Sequence, residues 1–501
     1  MENRLRSVIK YTVDTFLNLY SKNTYRHILF SFFSCVILSF GHVTTVSSSI
    51  LQTKPVFEGV TETGNRLHDY RHESQKPNVI LIVADDMGIG DISALNGGLS
   101  KTPVIDELIE KSVYFNQAYA SSPVCGPSRA SLLTGRHPHK TGVVSLSQVR
   151  YPELTSLNLN ETTLADLFEH NGYRTGMVGK WHLGMEEEYL PLNRGFEESV
   201  SFLGGPDVPD DYFNFRLNVQ GEYQSVEGDY LTDRLTDEAI KYVRKHHEEP
   251  FFLHLAHYAP HRPLSAPEEM IKPYEEAGLD RNTAIIYAMV EIMDQGIGRL
   301  IDELKELQID QRTVVIFTSD NGPDPLTGSR FNSNLRGNKY TVYDGGIRVP
   351  FLVYWSGVLE PGKIDEIIHF TDVYPSLMEL AELDNPSENY PDGGSFAPLL
   401  LNKNDNNRLP TYQYWQWNRG VPDFTHNTAI RDGKWKLVLP YVTHRVTTGP
   451  SEEKAKLYNL ETDPDEQHDL SDEYFMRYEI MRTELRKWAK KMEYEWVKQL
   501  K

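Results

Sequence analysis

Four short apolar runs most constrain what this chain can fold into. They cover residues 78–83, 251–255, 313–318 and 349–355. Each run is almost continuously apolar rather than alternating, which is typical of strands buried on both faces of a sheet. Segments with helical spacing of apolar residues separate the runs, among them 161–171 and 283–307. This alternation predicts an α/β fold in which helices sandwich a large, mostly parallel sheet.

The sequence pattern changes after residue 403. The polar run 401–407 interrupts the helical and apolar segments, and Asp432-Gly433 then provides a hairpin turn within 429–438. Residues 473–498 have the spacing of an amphipathic helix. Its apolar stripe is predicted to contain Phe475, Tyr478, Met481, Leu485, Trp488 and Met492. We therefore predict a main domain over 77–403 and, over 404–501, a small antiparallel-sheet subdomain closed by a helix.

The N-terminal 46 residues have the order of a secretory signal: a basic head, an apolar run over 28–40, and then Ser and Thr. The apolar run is shorter than the roughly 20 residues that a membrane-spanning helix needs. A cleaved signal peptide is therefore favoured, and a retained signal anchor or a misassigned start are the alternatives. Residues 47–76 are polar and predict a linker. The expected destination is the secretory pathway, extracellular or lysosomal, and the single glycosylation sequon at Asn160 suits it.

The formal net charge of −20 argues against a nucleic-acid partner, because phosphate-backbone binding needs basic patches. It still allows an anionic substrate in a locally positive pocket. The chain has two cysteines, Cys35 and Cys125. If the N-terminal segment is removed, Cys125 has no partner for a disulfide, and a lone thiol in an oxidising compartment needs an explanation.

Acidic residues directly follow two of the predicted strands. Asp85 and Asp86 end the first run, and Asp320 and Asn321 end the run 313–318. The carboxyl ends of parallel strands meet at one edge of a sheet, so these side chains are expected to lie together. Oxygen-only ligands favour Ca²⁺ or Mg²⁺ over Zn²⁺. The alternative is that each residue only caps a helix or forms a turn.

Cys125 begins the stretch Cys125-Gly126-Pro127-Ser128-Arg129, which "LTGR" follows at 133–136. This C-x-P-S-R stretch resembles the signature of the type I sulfatases of the alkaline phosphatase superfamily. Similarity extends over about residues 77–470. It includes the segments "NVILIVADDMGIGD" (78–91), "TGMVGKWHLG" (175–184), "APHRPL" (259–264), "VIFTSDNG" (315–322), "LRGNKYTVYDGGIRVP" (335–350) and "LYNLETDPDEQHDL" (457–470). Asp344 stands where the family more often has Glu.

The resemblance implies that residues 77–403 are the catalytic domain of an enzyme that releases inorganic sulfate from sulfate esters of carbohydrates or aryl alcohols. It implies conversion of Cys125 to formylglycine by the formylglycine-generating enzyme, a transient partner. It also implies a bound Ca²⁺, with Mg²⁺ less favoured, on which the aldehyde hydrate acts as nucleophile. The implied metal ligands are Asp85, Asp86, Asp320, Asn321 and residue 125.

Five basic residues lie inside the matching motifs, and the resemblance implies a role for each. Arg129, Lys180 and Lys339 would supply positive charge to the anionic substrate. His182 would act as the base that expels sulfate, and His261 with Lys339 as the acid at the leaving oxygen. His254 and His257 are expected to be surface or core residues.

Two alternatives stay open within the same superfamily: a phosphonate monoester or phosphodiester hydrolase, and an inactive homologue that binds sulfated glycans. A cysteine protease is disfavoured because the chain lacks a papain-like Cys-Trp signature. No sequence feature indicates the oligomeric state.

Overall fold

The structure is a computed structural model that describes residues 76–204, 211–401, 409–440 and 453–499. The predicted signal peptide or anchor (1–46), Cys35, the linker except Lys76, and the predicted boundary between residues 403 and 404 lie outside the described residues. Within the described ranges, every helix is too short or too polar to cross a membrane.

Ten strands form the main sheet. They are β1 (Asn78–Ala84), β2 (Val113–Tyr119), β3 (Arg174–Lys180), β4 (Glu198–Phe202), β5 (Asn214–Val219), β6 (Glu222–Glu227), β7 (Phe251–Ala256), β8 (Thr313–Ser319), β9 (Phe351–Trp355) and β10 (Gly362–His369). Their order is β10-β2-β9-β8-β1-β7-β3-β4-β5-β6. The strands from β8 to β4 in this order are all parallel. β9 instead runs antiparallel to both of its neighbours. Its apolar run indicates burial on both faces of the sheet, but it does not indicate the direction of the strand.

Helices cover both faces of this sheet. The helices of the described residues are α1 (Ser93–Asn96), α2 (Pro103–Lys111), α3 (Cys125–Thr134), α4 (Pro138–Thr141), α5 (Leu164–His170), α6 (Leu231–His246), α7 (Glu268–Glu276), α8 (Arg281–Glu306), α9 (Asp344–Ile347), α10 (Val373–Leu380), α11 (Ala397–Leu400) and α12 (Phe475–Gln499), of which α12 packs on the second sheet. Successive side chains of β1 point to opposite faces. Val79, Leu81 and Val83 join the core that contains α3, α5 and α10, and Ile80 and Ile82 join the core that contains α2, α6 and α8. The predicted sandwich is confirmed.

Capping residues set the starts of the two predicted helices. α5 begins at Leu164 because the side chains of Thr163 and Asp166 form a reciprocal capping box. This start is three residues later than the apolar spacing predicted. α8 begins at Arg281, where the Asp280 carboxylate accepts two backbone N–H groups.

A second sheet forms the C-terminal part of the chain. It contains β11 (Tyr412–Gln416), β12 (Thr428–Asp432), β13 (Trp435–Leu439) and β14 (Lys456–Asn459), all antiparallel. The β12–β13 hairpin turns at Gly433, which has a positive φ of 54°. α12 covers this sheet with an apolar stripe. The buried members are Tyr478, Met481, Leu485, Trp488 and Met492. Phe475, also predicted in the stripe, is 58% exposed because it is the first residue of the helix.

Candidate active site

Residues from four adjacent strands meet at the carboxyl edge of the main sheet. Asp85 and Asp86 follow β1, and Asp320 and Asn321 follow β8. On the other side of β1, the segment after β7 leads to His261, and Lys180 ends β3 with His182 two residues later. Because β8, β1, β7 and β3 are consecutive and parallel, these side chains all emerge on one edge.

Helix α3 brings Cys125 to this edge. Cys125 is its first residue, and Arg129 lies one turn later on the same helix face. The whole helix is buried. Gly126 packs closely, since a Cβ there would lie 3.3 Å from the carbonyl oxygens of His182 and Ser145, which is a tight contact. The C-x-P-S-R stretch therefore places residues 125 and 129 together at the edge of the sheet.

Arg129 and Lys180 neutralise two of the carboxylates. The Arg129 Nε–H donates to Asp320 Oδ2 at 2.8 Å, and Nη2 lies 2.8 Å from the same oxygen in an ion pair and 3.5 Å from Asp85 Oδ2. The Lys180 ammonium donates to Asp85 Oδ2. The sequence analysis assigned both cations to the substrate. In the structure each also pairs with a predicted metal ligand, Arg129 from α3 and Lys180 from the end of β3.

Asp86 forms the second half of the cluster. Its backbone is left-handed, with φ at 64°, and its carboxylate accepts from Lys339 Nζ at 2.6 and 2.7 Å and from Asn321 Nδ2 at 2.7 Å. His261 Nε2 lies 3.5 Å from Asp86 Oδ2. Lys339 reaches the site from the long segment between β8 and α9. Three carboxylates thus face three cations.

The donor set fits a hard divalent cation. Asn321 Oδ1 is buried and has no protein partner, and an orphaned buried oxygen is a ready ligand. Cys125 Sγ lies 3.4 Å from Asp85 Oδ1 and 3.8 Å from Asp86 Oδ1. Ligand atoms of Asp85, Asp86, Cys125 and His261 all lie within 4.8 Å of one another. Two carboxylates belong to this group, and Asp320 and Asn321 contact Asp86 beside it. Carboxylate and amide oxygens are ligands that Ca²⁺ and Mg²⁺ prefer.

Burial and charge set the protonation states of these groups. Burial, together with the Asp320 and Asp85 carboxylates, raises the pKa of the Cys125 thiol well above its ordinary value. Burial also opposes ionisation of Asp86, but Lys339, His261 and Lys180 together outweigh it, and the pKa of Asp86 lies well below its usual range. Burial opposes the charge of Lys339 too, but Asp86 raises its pKa. The unmodified cysteine is therefore a thiol beside an ion-paired cluster.

Both site histidines are neutral. Burial and then Lys180 lower the pKa of His182 well below its ordinary value and that of His261 to about 3. His182 Nε2–H donates to the Leu146 carbonyl at 2.8 Å, and its Nδ1 is buried without a partner. His261 Nδ1–H donates to the Arg262 carbonyl at 2.6 Å, so its Nε2 faces the site as an acceptor. His182 Nδ1 thus has a free lone pair and can act as a base. His261 Nε2 carries no proton, so His261 by itself cannot act as an acid.

The structure adds residues that the sequence analysis missed. The Tyr258 ring stacks on His261 with centroids 4.7 Å apart, and the Lys180 ammonium lies 5.3 Å from its centre. Arg330 donates to the Asp86 carbonyl at 3.1 Å while it pairs with Asp91. Tyr258 lies three residues before His261, so its proximity to the site could have been predicted from the sequence. The contact of Arg330 with residue 86 could not, because no local pattern links the two residues.

The remaining predicted residues lie elsewhere. His254 on β7 and His257 after it are buried in the core, as expected for packing residues. Asn160 is exposed, which suits its predicted glycosylation. It lies in the segment before α5 and not at the strand ends that form the site. The functional roles of all these residues stay predictions.

Comparisons with known proteins agree with this arrangement. The sulfatase family model matches residues 77–383, and the model described as N-sulphoglucosamine sulphohydrolase, C-terminal, matches residues 337–494. An uncharacterised sulfatase of Escherichia coli (strain K12), YdeN, is 30% identical over 435 residues, which cover 71% of this chain and 75% of that protein.

A relative and a solved structure extend the comparison to carbohydrates. N-acetylgalactosamine-6-O-sulfatase of Bacteroides thetaiotaomicron is 27% identical over 489 residues, covering 81% of this chain and 92% of that protein. The crystal structure of Ps i-CgsB in complex with k-i-k-neocarrahexaose is 31% identical, with a TM-score of 0.71, over 83% of this chain and 93% of that chain. The chain belongs to the sulfatase family, whose enzymes hydrolyse sulfate esters.

Proposed function

We propose that this sulfatase acts on sulfated carbohydrates. The observation that carries the proposal is the convergence of residue 125 with three carboxylates, one free amide oxygen and three cations at one sheet edge. A cluster this rich in fixed positive charge suits the anionic group of a sulfate ester. The names of the relatives favour a sugar as the alcohol part.

We propose that Cys125 is converted to formylglycine before the enzyme acts. The thiolate is the reactive form of cysteine, and burial together with the neighbouring carboxylates raises the pKa of this thiol and keeps it protonated. The unmodified residue is therefore a poor nucleophile. Mass spectrometry of the peptide that contains Ser128 tests this, with protein from a host that has the formylglycine-generating enzyme. We expect an aldehyde at residue 125, and an intact thiol in an active preparation would contradict the proposal.

We propose that Asp85, Asp86, Asp320 and Asn321, together with residue 125, hold a divalent cation, with Ca²⁺ favoured. When present, the cation and a hydrated aldehyde would supply a nucleophilic oxygen and an exit for sulfate by elimination. Asn321 offers the oxygen that has no protein partner, and Arg129 holds Asp320 in place through two nitrogens.

The remaining side chains bind the substrate and hold protons. Lys180 and Lys339 are protonated and buried, so their charge acts on the sulfuryl oxygens in a medium that screens it poorly. His182 Nδ1 can accept the proton of the hydroxyl that expels sulfate, because Nε2–H is fixed on Leu146. Lys339 is the proton donor to the leaving oxygen, and Nε2 of neutral His261 can accept a hydrogen bond from the alcohol once that oxygen is protonated.

A matched assay tests the reaction class. The wild-type enzyme should release sulfate from sulfated disaccharides and from 4-nitrophenyl sulfate. It should hydrolyse bis(4-nitrophenyl) phosphate more slowly. Preference for the phosphodiester would favour the superfamily alternative and overturn the sulfatase proposal. Saccharide binding without turnover of any ester would favour the inactive glycan-binding alternative.

We also propose delivery through the secretory pathway to the cell exterior or the lysosome. The exposed Asn160 supports it, since a glycan there would not disturb packing. N-terminal sequencing of the mature protein and glycosidase treatment test this. An uncleaved, unglycosylated chain in the cytosol would contradict it.

A further inference from the structure

Arg419 lies beside the proposed active site on the C-terminal part of the chain. It follows β11 by three residues, and its guanidinium carbon lies 6.0 Å from the centre of the Tyr340 ring. The Lys339 ammonium lies 5.8 Å from the centre of the same ring. Arg419 and Lys339, a cation of the proposed site, therefore lie near the same aromatic ring.

The charge of Arg419 is not neutralised by the protein. Among the described arginines that are not exposed, it alone has neither a hydrogen bond nor an ion pair, and its Nε is buried. Arg262, which follows His261, instead pairs with Asp324 at 2.6 Å. Asp423, the acidic residue on the Arg419 loop, pairs with His426 at 3.1 Å. An uncompensated guanidinium in a chain of net charge −20 is an unusual feature.

The backbone around Arg419 is held firmly. Asn418 donates to the Val421 carbonyl at 2.7 Å and accepts from Asp423 N at 2.8 Å, which closes the loop. Asn427 Nδ2 donates to the carbonyls of Trp417 and Tyr340, at 2.9 and 2.7 Å. The backbone that carries Arg419 is thus positioned in advance, which lowers the part of the entropy cost of binding that comes from ordering the loop.

The Tyr340 ring connects this loop to residue 125. Its ring and that of Trp417 are 5.7 Å apart, and both pack on Val124, which precedes Cys125. The Tyr340 N–H donates to the Pro123 carbonyl at 2.9 Å. A saccharide whose sulfate lies at residue 125 would therefore extend next to Arg419.

We propose that Arg419 recognises a second anionic group, a sulfate ester or a carboxylate, on the same saccharide as the sulfate that is cleaved. The inference rests on the proposed function and specifies its substrate class. A guanidinium binds both kinds of oxyanion through paired N–H groups. Arg419 would thus make the enzyme selective for saccharides with more than one negative charge.

The test compares disaccharides that share one sulfated sugar and differ only in the neighbouring sugar, which carries a hydroxyl, a carboxylate or a second sulfate. The quantity measured is the ratio of kcat/KM for each doubly charged disaccharide to that for the singly charged one. In Arg419→Met this ratio should fall by about tenfold, the value of one charged hydrogen bond. Arg419→Lys should recover part of it, because the charge is kept and the paired geometry is lost.

Arg216→Met is the matched control. Arg216 also lies over a tyrosine, 4.8 Å from the ring centre of Tyr223, but on the exposed face of β5. It should leave the ratio at the wild-type value. An unchanged ratio in Arg419→Met would overturn the inference, as would an equal fall in Arg216→Met.

Calorimetric titration of the same disaccharides separates this inference from the proposed function. If the enzyme turns over no sulfate ester, Arg419→Met should still weaken binding of a doubly charged disaccharide more than that of the singly charged one. That result would support the inference and contradict the proposed function. Two results would contradict the inference and leave the proposed function standing. One is turnover whose kcat/KM ratio does not change in Arg419→Met, and the other is equal weakening of binding for the singly and doubly charged disaccharides.

Discussion

Asp86 contacts several parts of the candidate site because of its backbone conformation. A left-handed φ of 64° is uncommon for a residue other than glycine, and such strain concentrates at functional sites. The turn aims its carboxylate at Lys339 and Asn321 while its carbonyl accepts from Arg330. One residue thereby links the predicted metal ligands, a site cation and the loop that carries Arg330.

Asn321→Ala should weaken calcium binding without unfolding the protein. The substitution removes the buried Oδ1 that has no protein partner. We expect the calcium Kd, measured by calorimetric titration, to rise by at least about tenfold, the loss that one charge-assisted contact gives. Asn389→Ala, at a surface hydrogen bond to the Asn160 carbonyl, is the control. Equal calcium affinity in both variants would remove Asn321 from the ligand set.

Asp372 should make stability depend on pH. Burial raises its pKa to about 7, although the N–H groups of His369 and Gly394 donate to the carboxylate. As pH rises from about 4 to about 7, the unfolded chain loses this proton before the folded chain does. The contribution of Asp372 to the free energy of unfolding is therefore full below about pH 4 and is lost by about pH 7.

Asp372→Asn removes this titration. Denaturant unfolding at several pH values should show the stability of the variant, relative to wild type, improving from about pH 4 to about pH 7 and then levelling off. A difference that stays constant with pH would show that Asp372 titrates normally.

At the scale of elements, the strand ends are the part of the site that was predictable. The runs that form β1 and β8 are continuously apolar, and their acidic ends follow directly, so their meeting at one edge follows from parallel pairing. The direction of β9 was not predictable, because burial on both faces does not distinguish parallel from antiparallel neighbours. The pairing of Lys339 with Asp86 was not predictable either, since 253 positions separate them and Lys339 lies on a long segment after β8.

The hairpin of β12 and β13 carries a buried charge that ties it to α9. Lys436 Nζ lies 2.6 Å from Asp344 and 3.0 Å from Glu466, and all three side chains are buried. Lys436→Met should therefore lower the free energy of unfolding by about 3–5 kcal/mol, because it leaves buried carboxylates unpaired. Denaturant unfolding monitored by fluorescence measures this.

Lys434→Met is the control on the same hairpin. Lys434 pairs with Glu461 at 2.8 Å, but both side chains are about half exposed. The loss there should be about 0–1 kcal/mol. If the two variants lost the same stability, the buried network would not hold the hairpin in place.

At the scale of the whole molecule, the C-terminal part of the chain helps to build the candidate site. Asn427 bonds both Tyr340 and Trp417, and Glu466 accepts the Asp344 N–H at 2.7 Å. The contacts of Asn427 with Tyr340 and of Glu466 with Asp344 join residues more than 80 positions apart in the sequence. Periodicity and local motifs give no signal for them, so the sequence predicts a small C-terminal subdomain but no site residue within it.

Calcium should stabilise the entire fold. Its proposed ligands come from β1, β8 and α3, so a ligand that binds only the folded state raises Tm by mass action. We expect a higher Tm in millimolar calcium than after chelation and dialysis, by differential scanning calorimetry. Asn321→Ala should reduce this shift. Identical melting curves with and without calcium would contradict a bound divalent cation.

The most direct test of the account is the release of inorganic sulfate from a sulfated saccharide by the wild-type enzyme and by Cys125→Ala, with calcium present. Both proteins should show the same circular dichroism spectrum. We expect the variant to lose turnover by at least about a thousandfold, as loss of a nucleophile does elsewhere. A Cys125→Ala enzyme that released sulfate at the wild-type rate would contradict the central role of residue 125.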